Sequence, residues 1–128
     1  MKKILYIISS IFCFSCAQNT EGQQFIDVNV QEFKELISRE DAVILDVRTP
    51  DEYAEGHIDG AINIDFFGNE FDEQIAKLDK GKYYLVYCAA GGRSGKTLKK
   101  LKNSNFNGAA NLKGGMGAWQ SNGEGVTK

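Results

Sequence analysis

From Phe25 onward, short apolar runs alternate with amphipathic ones. Phe25-Ile26-Asp27-Val28, Val43-Ile44-Leu45-Asp46, Ile62-Asn63-Ile64, Tyr84-Leu85-Val86-Tyr87 and Ala109-Ala110-Asn111-Leu112 read as strands. Their near-continuous apolar character suits strands buried on both faces, as in parallel sheets. Between them, Phe33, Leu36 and Ile37 fall on one helical face, as do Leu98 and Leu101 of the segment Ser94 to Lys102, and Phe71, Ile75 and Leu78 have helical spacing. Asn29 with Glu32 three residues on, and Thr49-Pro50-Asp51-Glu52, carry the signals of capped helix starts. Gly114-Gly115-Met116-Gly117-Ala118-Trp119 turns into a last helix, with Trp119 read as core. Strand and helix patterns in this order predict an α/β fold, a parallel sheet with helices on both faces.

The first residues belong to a different class. Lys2 and Lys3 precede an apolar run from Ile4 to Phe14, followed by Ser15 and Cys16. That run is shorter than the roughly 20 apolar residues a membrane-spanning helix needs, so it reads as a secretory signal. A cysteine closing the run resembles a bacterial lipoprotein signal, in which cleavage before Cys16 leaves it to be lipidated. Cys13 and Phe14 depart from that pattern, and cleavage before Ala17 by an ordinary signal peptidase is the competing expectation. Residues 1–16 are thus expected to be a signal, 17–24 a polar tether, 25–120 the folded domain and 121–128 a glycine-rich flexible tail. The expected address is the cell envelope, periplasmic or anchored to a membrane through a lipid on Cys16.

Composition then limits the function classes. With 128 residues, the length suits one domain; 42% hydrophobic and 25% charged residues are ordinary for a globular protein. A net charge of −2 offers no footprint for nucleic acid. Lys96, Lys99, Lys100 and Lys102 could attract anions, but a solvated helix face is the preferred explanation. Loss of Lys2 and Lys3 with the signal would leave 17 acids against 13 bases, a charge of −4. If Cys13 leaves with the signal and Cys16 is lipidated, Cys88 is the single free thiol, and an unpaired thiol in a secreted chain suggests reactivity.

The run Cys88-Ala89-Ala90-Gly91-Gly92-Arg93-Ser94 directly follows the apolar strand candidate. Glycines permit the positive φ angles of a tight loop, in which several backbone N–H groups converge on one sulfur or anion. The helix that follows contributes its positive end, and Arg93 adds a charge nearby; both favour thiolate over thiol. A buried structural cysteine is the alternative. Arg93 could bind an anion, lower the cysteine pKa, or form a salt bridge that shapes the loop. Ser94 could donate to the sulfur or cap the next helix.

Three motifs together resemble the single-domain rhodaneses, a sulfurtransferase family. They are Asp46-Val47-Arg48-Thr49-Pro50-Asp51-Glu52-Tyr53 through Gly56-His57-Ile58, the Cys88-to-Ser94 loop, and Leu112-Lys113-Gly114-Gly115-Met116-Gly117-Ala118-Trp119. The resemblance implies a five-stranded parallel sheet with helices on both faces and an active cysteine in the loop after a central strand. It also implies that Cys88 takes a sulfane sulfur from a donor such as thiosulfate, holds it as a persulfide, and passes it to a thiol, cyanide or protein acceptor. Backbone N–H groups from Ala89, Ala90, Gly91, Gly92, Arg93 and Ser94 would stabilise the persulfide. No metal or organic cofactor is expected.

Asp46, at the carboxyl end of a strand, is expected to orient the loop. Arg48 is expected to pair with Glu52 or Glu55 and fix the strand-to-helix turn. His57, which could act as a general base, matches a structural position in the family and reads as a hydrogen-bonded turn residue. Relatives usually carry proline where this chain has Asp59, which predicts a looser turn. Ala89 and Ala90 are neutral where many thiosulfate-using relatives are basic, which weakens thiosulfate as the physiological donor. Phosphatases and arsenate reductases of the same fold place five residues between cysteine and arginine; here only Ala89 to Gly92 intervene. A sulfur-relay or binding module without turnover is the other alternative.

Overall fold

The computed structural model describes residues 24–128. The signal expected at 1–16 with Cys16, and the expected tether up to residue 23, lie outside the described residues. The chain runs β1 (Phe25–Val28), α1 (Val30–Ile37), β2 (Ala42–Asp46), α2 (Pro50–Glu55), β3 (Ile62–Asn63), α3 (Phe71–Ala76), β4 (Tyr83–Tyr87), α4 (Gly92–Asn103), β5 (Gly108–Leu112) and α5 (Gly115–Ser121). Every strand pair is parallel and the spatial order is β1-β5-β4-β2-β3. The α/β fold and its five-stranded parallel sheet are as the pattern predicts.

Local signals set the helix starts. Asn29 Oδ1 accepts the Glu32 N–H at 2.9 Å and so caps α1. At α2 Thr49 and Glu52 form a reciprocal capping box, and Pro50 occupies the first turn, where its missing N–H does no harm. β4 is buried along its whole length, so its side chains feed two cores. Tyr83, Leu85 and Tyr87 join Phe33, Leu112, Met116 and Trp119 on the α1 and α5 side. Tyr84, Val86 and Cys88 join Ile75, Leu98, Leu101 and Phe106 on the α3 and α4 side. The period-two alternation of the strand thus delivers the Cys88 side chain to the α4 face.

From β4 the chain proceeds to β5 on one side, while β2 leads to β3 on the other. Asp46 and Tyr87 are register partners at the carboxyl ends of β2 and β4. In open α/β sheets the crevice for ligands opens where strand order reverses in this way.

Four strands differ from the sequence reading by one residue at an end, and two differences are larger. α4 begins at Gly92 rather than Ser94, because its N-cap, Gly91, is in the left-handed region and the glycine loop passes into the helix without a side-chain cap. The segment 121–128, expected as a flexible tail, has defined partners. His57 and Thr127 exchange both backbone hydrogen bonds at 2.8 Å, Trp119 Nε1 donates to Gly125 O at 2.9 Å, and Lys34 pairs with Glu124 at 2.6 Å. Main-chain pairing needs no apolar side chains, so a glycine-rich composition did not reveal it.

Candidate active site

β4 ends by turning Cys88 into the loop, where the residue is only 1% exposed. Gly91, at φ +109°, aims its N–H at Cys88 Sγ from 3.0 Å. A residue with a Cβ would resist this left-handed backbone, which explains glycine here. The buried Ser94 hydroxyl donates to the same sulfur at 3.3 Å. Burial pushes the thiol pKa up, but the Ser94 hydroxyl and the N–H groups of Ser94, Gly91 and Ala90 outweigh it and hold the pKa below its ordinary value. Of the two sequence readings of Ser94, the sulfur donor holds; the cap position belongs to Gly91.

The back of the loop is fastened to α5. Met116 N–H donates to Cys88 O at 2.8 Å and Gly117 N–H to Ala89 O at 3.2 Å. These first-turn amides of α5 have no intrahelical partner, and the loop carbonyls satisfy them in place of a capping side chain. Gly115, at φ +53°, lies so near the loop that a Cβ would collide with the Cys88 carbonyl oxygen and sit 2.8 Å from Ala89 C and O.

Both arginines near the loop are held by carboxylates. Arg93 makes a two-pronged pair with Glu52, Nη1 to Oε1 at 2.8 Å and Nη2 to Oε2 at 3.1 Å. Glu52 Oε1 also accepts from the Thr49 backbone N–H at 3.2 Å and the Thr49 hydroxyl at 3.1 Å. The Arg93 guanidinium is the main reason the Glu52 carboxyl is held down to about 2; partial burial opposes it and the Thr49 bonds add to it. Among the alternatives for Arg93, the observed one is the salt bridge that shapes the loop. Phe67 places its ring 5.4 Å from the same guanidinium.

Arg48 corrects the expectation of a Glu52 or Glu55 partner. Its Nη2 lies 2.7 Å from Asp46 Oδ2 and donates to Gly56 O at 2.8 Å, and its Nε also reaches the Asp46 carboxylate. Asp46 is fully buried and needs a counter-charge close by, whereas Glu52 is already engaged by Thr49 and Arg93. Asp46, expected to orient the loop, directs its carboxylate to the Arg48 backbone and side chain, while its carbonyl accepts from Ile64 N–H and Asn63 Nδ2. The pair does fix the strand-to-helix turn expected of Arg48, by tying β2 to the end of α2.

His57 Nδ1 is 3.0 Å from Tyr53 O, so that nitrogen carries the proton, and the ring stacks on Tyr53 at 3.7 Å. Its bonds hold the turn, as read from sequence. Asp59 does not leave that turn open: Ala61 N–H donates to Ile58 O at 3.0 Å, and the Thr127 hydroxyl reaches Asp59 Oδ1 at 3.4 Å. The sequence reading gave Glu52 only helix-start and Arg48-pairing roles. Its box with Thr49 was legible, but its grip on Arg93, 41 residues away, was not. Among the described residues no cluster of His, Cys, Asp and Glu could hold a metal ion.

Fold and loop together define an α/β domain that presents one cysteine sulfur to the Gly91 N–H and the Ser94 hydroxyl. The chain belongs to the rhodanese-like family: the Rhodanese-like domain profile matches residues 29–122. It is 30% identical over 122 residues to the thiosulfate:glutathione sulfurtransferase of Saccharomyces cerevisiae, covering 81% of this chain and 88% of that protein. It is 36% identical over 87 residues to the thiosulfate sulfurtransferase GlpE of Coxiella burnetii, covering 68% and 79%. A crystal structure of a rhodanese-related protein from Thermoplasma volcanium superposes with a TM-score of 0.70 at 32% identity, covering 79% of this chain and 96% of that one.

Proposed function

We propose that the protein is a sulfurtransferase that carries sulfane sulfur as a persulfide on Cys88. The Cys88 thiolate attacks the outer sulfur of a donor such as thiosulfate; a new S–S bond forms, the donor's S–S bond breaks, and sulfite leaves with its electron pair. An acceptor nucleophile, cyanide or a thiolate, then attacks the terminal sulfur and frees the Cys88 thiolate. This is covalent, two-step catalysis. The observation that carries the reading is the convergence of the Gly91 N–H and the Ser94 hydroxyl on Cys88 Sγ, which prepares a thiolate and can follow the charge onto a bound sulfur.

Two further features support sulfur over a tetrahedral oxyanion. The loop has only four residues between Cys88 and Arg93, and Arg93 and Arg48 are both engaged by carboxylates. The yeast and Coxiella relatives are named for thiosulfate sulfur transfer, which makes thiosulfate the donor to try first. Incubated with thiosulfate and cyanide, the protein should release thiocyanate, and thiosulfate alone should add one sulfur atom to its mass. Cys88→Ala should abolish both while the fold persists, since only a small buried group is removed. Thiocyanate formation at the parental rate by that variant refutes the assignment. The envelope address belongs to the same proposal and rests on the sequence of residues 1–16; the mass of the mature N-terminus, acylated Cys16 or free Ala17, decides it.

A further inference from the structure

α4 is the basic helix of an acidic chain. It carries Arg93, Lys96, Lys99, Lys100 and Lys102 and no acid, although 17 acids outnumber 15 bases in the whole sequence. Arg93 is paired with Glu52 and Lys100 with Asp72, but Lys96, Lys99 and Lys102 are exposed and form no ion pair among the described residues. Like charges three or four apart on a helix repel each other, and here no side chain of α4 offsets them. An anionic surface outside the chain would.

Position in the fold identifies that surface. Lys96, Lys99 and Lys102 line one groove together with Phe25, the first residue of the edge strand β1. The single acid in the groove, Asp27, is engaged by Asn111 Nδ2 at 2.9 Å. Gln24, where the described residues begin, is fixed beside Phe25, because its carbonyl accepts the Ala109 N–H at 3.0 Å. The chain thus enters the domain on the lysine side. Cys16, the expected point of lipid attachment, is eight residues before Gln24, a span of at most about 28 Å for extended chain. A bilayer holding Cys16 lies within that reach of the groove, and a negative headgroup layer attracts lysines that come within about a Debye length of it. α1 and α5 pack on the opposite face of the sheet.

We infer that the α4 face docks on an anionic phospholipid surface, with Lys96, Lys99 and Lys102 against the headgroup phosphates and the α1 and α5 side turned to solvent. Docking of this face rests on the envelope address in the proposed function and not on its sulfur chemistry. The acyl anchor holds the domain near the bilayer, and the lysines set which face it presents.

The test uses the processed chain without an acyl group, Ala17 to Lys128, which contains every described residue, and vesicles of phosphatidylcholine with or without phosphatidylglycerol. At low salt the protein should sediment with the phosphatidylglycerol vesicles only, and about 1 M salt, where the Debye length falls to about 3 Å, should release it. A lysine at an anionic surface contributes about fivefold to partitioning, so Lys96→Glu/Lys99→Glu/Lys102→Glu should weaken it by more than about tenfold. Lys34→Glu/Lys113→Glu/Lys128→Glu changes the net charge equally on other parts of the surface and should weaken it far less. Failure of the parent to bind phosphatidylglycerol vesicles, binding that persists at about 1 M salt, or equal losses in the two triple variants overturns the inference. Capture by polyglutamate without vesicle binding also overturns it and assigns the face to an acidic protein. Urea midpoints check that both variants fold, and if the α4 variant does not, the salt response of the parent decides. A free Ala17 at the mature N-terminus would remove the anchor and leave the vesicle result standing, whereas absent vesicle binding would leave the persulfide assay on Cys88 untouched.

Discussion

Replacing Gly115 by alanine tests whether the loop is set by its support on α5. The added Cβ would meet the Cys88 carbonyl oxygen and lie 2.8 Å from Ala89 C and O, where ordinary contact begins at 3.4 Å. The loop or the helix must therefore yield by at least about 0.6 Å, the difference of those two distances. Backbone is what it meets, so no side chain can simply rotate away. The positive φ of 53° adds its own penalty, about 1–2 kcal/mol for a residue with a Cβ. Overpacking adds about 1–3 kcal/mol, so a loss of about 2–5 kcal/mol is expected. The Met116 and Gly117 bonds to the loop stretch with the displacement, and a shift of this order at a reacting atom costs about ten- to a hundredfold in rate. Gly117→Ala is the control. Its Cβ would stand 3.7 Å from Ala89 O with no unusual φ, and alanine favours helix over glycine by up to about 1 kcal/mol. Urea unfolding and thiosulfate:cyanide kinetics on both variants decide. If Gly115→Ala matches the parent in midpoint and kcat/KM, or the two variants behave alike, the account of the loop's support is wrong.

Ser94→Ala removes a donor that favours the thiolate, so the acidic limb of the pH profile of kcat/KM for the donor should move to higher pH; an unmoved limb refutes a role for that hydroxyl. Asp46→Asn leaves Arg48 a buried cation without its counter-charge and should lower stability by about 3–5 kcal/mol in urea unfolding. The folded Glu52 carboxyl, at about 2, lies below its unfolded value, so its contribution is fully present above the unfolded pKa and is lost as pH falls through the folded one. Glu52→Gln should therefore destabilise at neutral pH, with the difference from the parent shrinking as pH is lowered through that window.

What the sequence showed and what it hid divide by range. Strands appeared as apolar runs, and the starts of α1 and α2 as Asn29 and Thr49-Pro50, because those signals lie within a few residues of their effect. The cysteine loop was legible for the same reason: Gly91 and Ser94 act on a sulfur only three and six positions away. Pairing across the chain was not legible. Arg48 has four acids nearby in sequence, Asp46, Asp51, Glu52 and Glu55, and only the burial of Asp46 picks the partner. The Glu52 grip on Arg93 and the antiparallel bridge of His57 with Thr127 join residues whose sequence neighbourhoods carry no sign of each other.

The loop also explains why a sulfur carrier can work without a cation on its nucleophile. A positive side chain bonded to Cys88 would lower the thiol pKa further, yet thiolate nucleophilicity falls with pKa, with a Brønsted slope of about 0.4–0.5. Here burial raises the pKa while one hydroxyl and several N–H groups lower it, and the net effect is a lowered value reached by opposed contributions. Fixed dipoles of this kind need no reorganisation when charge moves from Sγ to a bound sulfur. Glu52 pairs with Arg93, while α5 holds the cradle in shape from behind. On this reading the acid of the first motif and the glycines of the last are as much part of the sulfur site as the cysteine.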